Sequence, residues 1–167
     1  NCKAIYFNYS KECAKELKFS DNEKCLNLHY RNPYAIIALR KLFKSELIEH
    51  SSLIVHVHLS APFFFVPLAC IGLPVKLVFT DHNTTNKRRN FSIFKYFARV
   101  FYNRYNSIIA IAEGVKENLL DWLGSSLYSK VTKIYNGSRF FFYKERKPLG
   151  KSIKFISVGY LIPRKGF

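Results

Sequence analysis

Histidine, carboxylate and amide side chains recur in this sequence directly after short apolar runs. His56 and His58 close the run LIVHVH, and Asp81, His82 and Asn83 follow VKLVFT. Glu113 and Gly114 follow SIIAIA, and Asn136 and Gly137 follow VTKIY. A neutral imidazole both donates and accepts a hydrogen bond and titrates near physiological pH. A lone histidine at the end of an apolar run is more often structural than functional. Four consecutive runs ending in polar residues or glycine point instead to one shared cleft, because loops on the same edge of a domain converge.

A second group is basic and aromatic. Lys87, Arg88 and Arg89 lead into a helical pattern bearing Lys95 and Arg99, with Arg104 near its end. Phe91, Phe94, Phe97, Phe101 and Tyr102 interleave with them. Lys95 and Arg99 are four apart and share a helix face. Aromatics on the other face either bury against a sheet or enter a lipid interface. A basic amphipathic helix is a membrane-surface signal, and each basic side chain near an anionic leaflet adds about 1 kcal/mol of attraction. An ordinary domain helix with a solvated basic face is the competing reading.

The whole chain shares this bias. Its 27 Lys and Arg outnumber 11 acidic residues among 167, for a net charge of +16. Such a balance favours an anionic partner: phosphate groups, nucleic acid or an anionic membrane. Aromatic residues make up 17% of the chain, which places it among folded rather than disordered proteins. Met is absent, including at position 1, so the sequence reads as beginning inside a longer protein. Cys2, Cys13, Cys25 and Cys70 have neither metal-site nor CxxC spacing, and no stretch resembles a secretory signal. They are read as reduced cytosolic thiols, with Cys70 buried. The four Asn-x-Ser/Thr matches, at Asn8, Asn83, Asn90 and Asn136, are then chance occurrences.

Regular elements must hold these groups in place. Between Leu53 and Phe79 the only formal charge is Lys76, long enough for a membrane span of about 20 residues. Pro62, Pro67 and Pro74 break an uninterrupted helix, and His56 and His58 are costly in hydrocarbon. A fully buried strand over Leu53–Val57, a short helix and a second buried strand over Val75–Phe79 fit better. Lys3–Phe7 and, more weakly, Cys25–Leu28 read as further strands. So do Ser107–Ile111, Val131–Tyr135 and Ile153–Val158. Ile36, Leu39, Phe43 and Leu47 mark one helix, and Phe94, Phe97, Phe101 and Tyr105 one face of another. Val115–Leu123 marks a third, ending at Gly124. Strands alternating with helices predict an α/β domain with a mostly parallel sheet covered on both faces. In such sheets ligands bind beyond the carboxyl ends of the strands, where the polar residues collect.

The segments LIVHVHLS (Leu53 to Ser60), VFTDHNTTNKRRN (Val78 to Asn90) and IAIAEGVKENLLDWL (Ile109 to Leu123) resemble the amino-terminal domain of family 4 glycosyltransferases. KIYNGSRFF (Lys133 to Phe141) is similar to that family's strand and turn before the interdomain linker. ISVGYLIPRKGF (Ile156 to Phe167) is similar to the first strand and loop of its carboxyl-terminal domain. The resemblance runs from about Tyr34 to the end.

It implies a Rossmann-like domain that is one half of a two-domain GT-B architecture. Residues 1–137 would be the acceptor-side domain, truncated at its start, 138–152 the linker, and 153–167 the start of the nucleotide-sugar-binding domain. The family's activity is transfer of a sugar from a nucleotide-sugar donor with retention of configuration and no bound metal or other cofactor. The resemblance implies a hexosyltransferase acting on a lipid-linked glycan in surface polysaccharide synthesis, on the cytoplasmic, inner face of the cell membrane.

His82 takes the position of the family's His near the reacting sugar. His58, Asp81, Asn83, Glu113 and Gly114 line the acceptor side. Gly159, Arg164 and Lys165 take the donor-diphosphate position. Ala112 replaces a Ser usual in the family's Ser-Glu-Gly loop, and Tyr160 replaces an Arg. The family's Gly-rich amino-terminal loop and later Glu-bearing motif are absent, so the chain alone is expected to be inactive. A basic nucleic-acid-binding module and a non-catalytic partner subunit are the alternatives; the first leaves the strand-end histidines unexplained.

Overall fold

In a computed structural model, which describes residues 2–7, 21–29, 31–82 and 92–137, parallel strands alternate with helices. The strands β1 (Ala4–Tyr6) and β2 (Glu23–Cys25) pair in parallel with each other. They are followed by helix α1 (Tyr34–Glu49), β3 (Leu53–His58), α2 (Ser60–Ala69), β4 (Val75–Asp81) and α3 (Ser92–Arg104). Then come β5 (Ser107–Ala110), α4 (Glu113–Leu123), a 3-10 turn (Ser125–Lys130) and β6 (Val131–Lys133). The strands β3 to β6 form a four-stranded parallel sheet in chain order. This is the expected α/β class, with parallel sheets flanked by helices. The chain divides into two compact units, Asn1–Asn136 and Gly137–Phe167. Of the second unit only Gly137 is described, so the linker and the strand expected over Ile153–Val158 lie outside the described residues.

The segment tested for a membrane span folds as two strands around a ten-residue helix. Ten helical residues reach about 15 Å, half a bilayer core. No helix among the described residues is long and apolar enough to cross a membrane.

Parallel neighbours in chain order, joined by right-handed crossovers, place their connecting helices on one face. The core reflects this. Val57, Leu77, Phe79, Ile108, Ala110 and Val131 bury into one cluster with Phe63 of α2, Tyr102 of α3 and Leu119 of α4. Phe63 is central to it, with its ring 4.7 Å from Phe79, 4.6 Å from Tyr102 and 5.3 Å from Tyr105. Tyr105 is fully buried and donates its hydroxyl to the Phe63 carbonyl at 2.9 Å. Alternate residues of β3 point the other way: Ile54 is 67% exposed, and His56 and His58 are exposed too. The fully buried strand expected over Leu53–Val57 is therefore buried on one face only. An unbroken apolar run reports a strand but not how many of its faces are covered.

A second departure concerns α3. The face expected over Phe94, Phe97, Phe101 and Tyr105 packs only towards its carboxyl-terminal end. Ala98, Tyr102 and Tyr105 are buried, Phe101 is half-buried, and Phe94 and Phe97 are exposed. Asn106 then ties the helix end to the sheet: its side-chain oxygen accepts from the Leu77 amide at 2.8 Å, and its own amide donates to the Leu77 carbonyl at 2.9 Å. Lys130 caps the same end by donating to the Asn103 and Tyr105 carbonyls.

Among the described residues Cys2, Cys25 and Cys70 are free thiols. Cys70 is buried, which pushes its pKa up to about 11.

Candidate active site

Parallel pairing brings the carboxyl ends of the strands to one edge. His58 aligns with Thr80, Asp81 with Ala110, and Ala110 with Lys133. Side chains two apart on a strand share a face, so His56 and His58 lie side by side, their ring centroids 4.3 Å apart. His82, the first residue beyond β4, completes a row of three imidazoles. Its Nε2 is 3.1 Å from Nδ1 of His58, a hydrogen bond in which one ring donates and the other accepts. His56 Nε2 is 2.7 Å from the hydroxyl of Thr80, which is buried.

Two rings of the row, His56 and His58, are driven towards the neutral form. Burial, followed by the repulsion of its neighbour His82, holds His56 below the ordinary imidazole range. His58 is lowered by burial first, then by His56 and His82. A neutral pair in hydrogen-bond contact leaves each ring one further nitrogen to offer a ligand, and protonating both rings would set two donors against each other.

The backbone turns sharply beside this row. Leu59 has φ 70° and ψ 171°, a region that only glycine occupies readily. This turn sends the chain from His58 directly into α2. Such strain costs about 1–3 kcal/mol and concentrates where a surrounding structure fixes a functional group.

The other expected residues separate into distinct settings. Asp81 is buried, and its Oδ2 accepts a long 3.5 Å bond from Tyr102 of α3. It sits on the helix-covered side of the sheet, away from the histidine row. Glu113 opens α4 and pairs with Lys133 at the end of β6. That hydrogen bond is the main reason its carboxyl is held below the usual range. Gly114 is exposed in the same first turn. Ala112 is the N-cap of α4 and supplies no side-chain cap, the structural consequence of lacking the Ser hydroxyl. Asn136 and Gly137 are exposed beyond β6. Lys95 and Arg99 are half-buried rather than displayed on an open basic face, and Arg99 donates to the Ser126 hydroxyl at 2.6 Å. Asn83, Lys87, Arg88, Arg89, Gly159, Arg164 and Lys165 lie outside the described residues.

Thr80, Lys133 and Leu59 were not singled out from sequence. Thr80 carried a usable signal, since it directly follows a predicted strand beside a candidate residue, whereas Lys133 lies inside the strand expected over Val131–Tyr135. Leu59 carried none, because its conformation follows from the tertiary turn.

Residues 12–138 match the family model described as Glycosyltransferase Family 4. The chain belongs to that family. A crystal structure of a glycosyltransferase from Rickettsia africae ESF-5 shares the fold of this family 4 chain, with a TM-score of 0.59 and 23% identity. The likeness covers 81% of this chain and 35% of that one, so the family 4 chain spans about a third of its length. No curated protein matches the chain.

Proposed function

We propose that this family 4 chain forms the acceptor side of a retaining hexosyltransferase. The enzyme would move a sugar from a nucleotide-sugar donor to a lipid-linked glycan in surface polysaccharide synthesis, without a metal or other cofactor, at the inner face of the membrane. The observation that carries this reading is the hydrogen-bonded His58–His82 pair at the carboxyl edge of a parallel sheet, where ligands of such sheets bind. Held by His58, the ring of His82 offers one nitrogen to a sugar hydroxyl or to the reacting centre. Neutral imidazole performs that task without the cost of placing a charge in the cleft. Glu113, Gly114 and Asn83 border the acceptor, and Asp81 braces the edge from beneath through Tyr102. Gly159, Arg164 and Lys165 contact the donor diphosphate, where positive charge offsets the charge developing on the leaving nucleotide. Lys87, Arg88, Arg89, Lys95 and Arg99 add attraction to anionic lipid headgroups.

On this reading the chain binds acceptor but does not turn over by itself, because most of the donor site belongs to another domain. Incubation of the chain with nucleotide-sugar donors and a lipid-diphosphate glycan is expected to give no product. Ring resonances of His58 and His82 are expected to shift with the acceptor alone. Turnover by this chain would contradict the division of labour, and an acceptor that leaves both rings unmoved would contradict the site.

A further inference from the structure

Strands β3 and β4 meet on the open face of the sheet through two diagonal contacts. Residues two apart share a face, so His56 and His58 of β3 lie beside Thr80 of β4 and His82 just beyond it. The register sets Val78 opposite His56 and Thr80 opposite His58. Straight pairing would leave His58 over Thr80. Instead each imidazole reaches one pair further along β4: His56 Nε2 meets the Thr80 hydroxyl at 2.7 Å, and His58 Nδ1 meets His82 Nε2 at 3.1 Å. Diagonal neighbours on adjacent strands stay within reach of ring side chains.

The two contacts differ in what sustains them. Thr80 is 5% exposed, although it shares its face with Ile54, which is 67% exposed. A hydroxyl on a buried residue that loses its partner costs free energy, so the bond to His56 is strongly favoured. The His58–His82 bond is exposed, and water competes for both of its nitrogens. Exposed side chains change rotamer in picoseconds to nanoseconds. Something must therefore hold His58. The His56 ring lies against it, with centroids 4.3 Å apart and planes tilted by 38°. The left-handed backbone at Leu59, φ 70°, fixes the main chain on its other side.

We propose that Thr80 and His56 are positioning residues: the Thr80 hydroxyl pins the His56 ring, and that ring holds His58 so that Nδ1 faces His82. Their task is complete before any ligand arrives, which is how a site is preorganised. The inference rests on the acceptor-side reading of His58 and His82. It goes beyond that reading by assigning the aim of the pair to two residues with no part in binding.

The test is nitrogen NMR of the histidine rings in the 167-residue chain without ligand, followed by titration with a soluble short-chain lipid-diphosphate glycan. Thr80→Val keeps the branched shape and removes the hydroxyl. The His58 and His82 signals are expected to move towards tautomer-averaged values, and acceptor binding to weaken by about 3- to 10-fold. Thr80→Ser, which keeps the hydroxyl, is expected to restore both. His56→Ala, at an exposed position, opens Thr80 to water and is expected to loosen the pair in the same way. It decides the matter should Thr80→Val fail to fold, which emission of Trp122, packed 6.4 Å from Tyr102, reports.

His58 and His82 signals unchanged in His56→Ala would show that the pair aims itself and overturn the proposal. A Thr80→Ser chain that behaves like Thr80→Val would overturn the role of the hydroxyl. Rings that loosen while the acceptor binds as before would overturn positioning. An acceptor that fails to bind the unsubstituted chain counts against the acceptor reading, while the ligand-free signals still judge whether Thr80 and His56 aim the pair.

Discussion

The carboxyl edge of the sheet and the outer face of α3 are opposite solutions to exposure. At the edge, reactive side chains are tied to one another: His58 to His82, His56 to Thr80, Glu113 to Lys133. On α3, large apolar side chains project into solvent over a firm aromatic base. Polar groups fixed by neighbours keep their geometry when a ligand arrives, so the edge is organised for orientation and proton placement. The outer face of α3 has few polar groups to fix, and covering it would gain chiefly by releasing water. One helix serves both, since the inward face of α3 carries the Tyr102 that reaches Asp81.

The sharpest way to break this contrast is to compare Phe63 with Phe97. Phe63→Ala removes the ring on which Phe79, Tyr102 and Tyr105 converge. It is expected to cost about 3–5 kcal/mol in chemical denaturation. Phe97→Ala, on the exposed stripe, is expected to change stability by no more than about 0.5 kcal/mol. Equal costs would mean that the stripe is core rather than surface. Tyr105→Phe leaves the packing but deletes the hydroxyl bond to the Phe63 carbonyl, for an expected loss of about 1–1.5 kcal/mol.

Ala112→Ser works in the stabilising direction. It supplies α4 with the missing side-chain cap and is expected to add about 1 kcal/mol, read as a higher unfolding midpoint. No gain would show that the first turn of α4 is already satisfied by other means.

The smallest expected effect is a pH dependence confined to the edge. His56 and His58 have depressed pKa values in the folded chain, so the unfolded chain takes up protons first as pH falls. Their contribution is complete above about pH 6.5, the unfolded value, and declines as pH drops towards the folded ones. The variant His56→Gln/His58→Gln is expected to flatten that decline, whereas substitutions on the α3 stripe leave it unchanged. A decline that persists in the double variant would place its origin elsewhere.

Much of this contrast was legible in the sequence, and the misreadings have physical causes. His58 and His82 stand out because each ends an apolar run, and parallel strands must bring such ends to one edge. Their direct bond was not legible, because it depends on the register that sets His58 opposite Thr80. Glu113 was visible as a loop residue, but its partner Lys133 was hidden inside a predicted strand. For α3 the sequence contains two overlapping apolar stripes. Phe94, Phe97, Phe101 and Tyr105 form the more conspicuous set, yet the small Ala98 marks the side that approaches the sheet most closely. Aromatic content signals burial on average, but close packing of helix on sheet selects the small residue. The exposed face of β3 was illegible for a related reason: coverage of the second face depends on chain far from Leu53–Val57 in sequence.

The most direct test of the central claim is nitrogen NMR of the histidine rings in the 167-residue chain, titrated with a soluble short-chain lipid-diphosphate glycan. The account predicts that His58 and His82 begin as a hydrogen-bonded pair and shift together on binding. It also predicts that His58→Ala alters the tautomer of His82 and weakens the acceptor. Independent rings that ignore the acceptor, or a His82 resonance unchanged by His58→Ala, would contradict it.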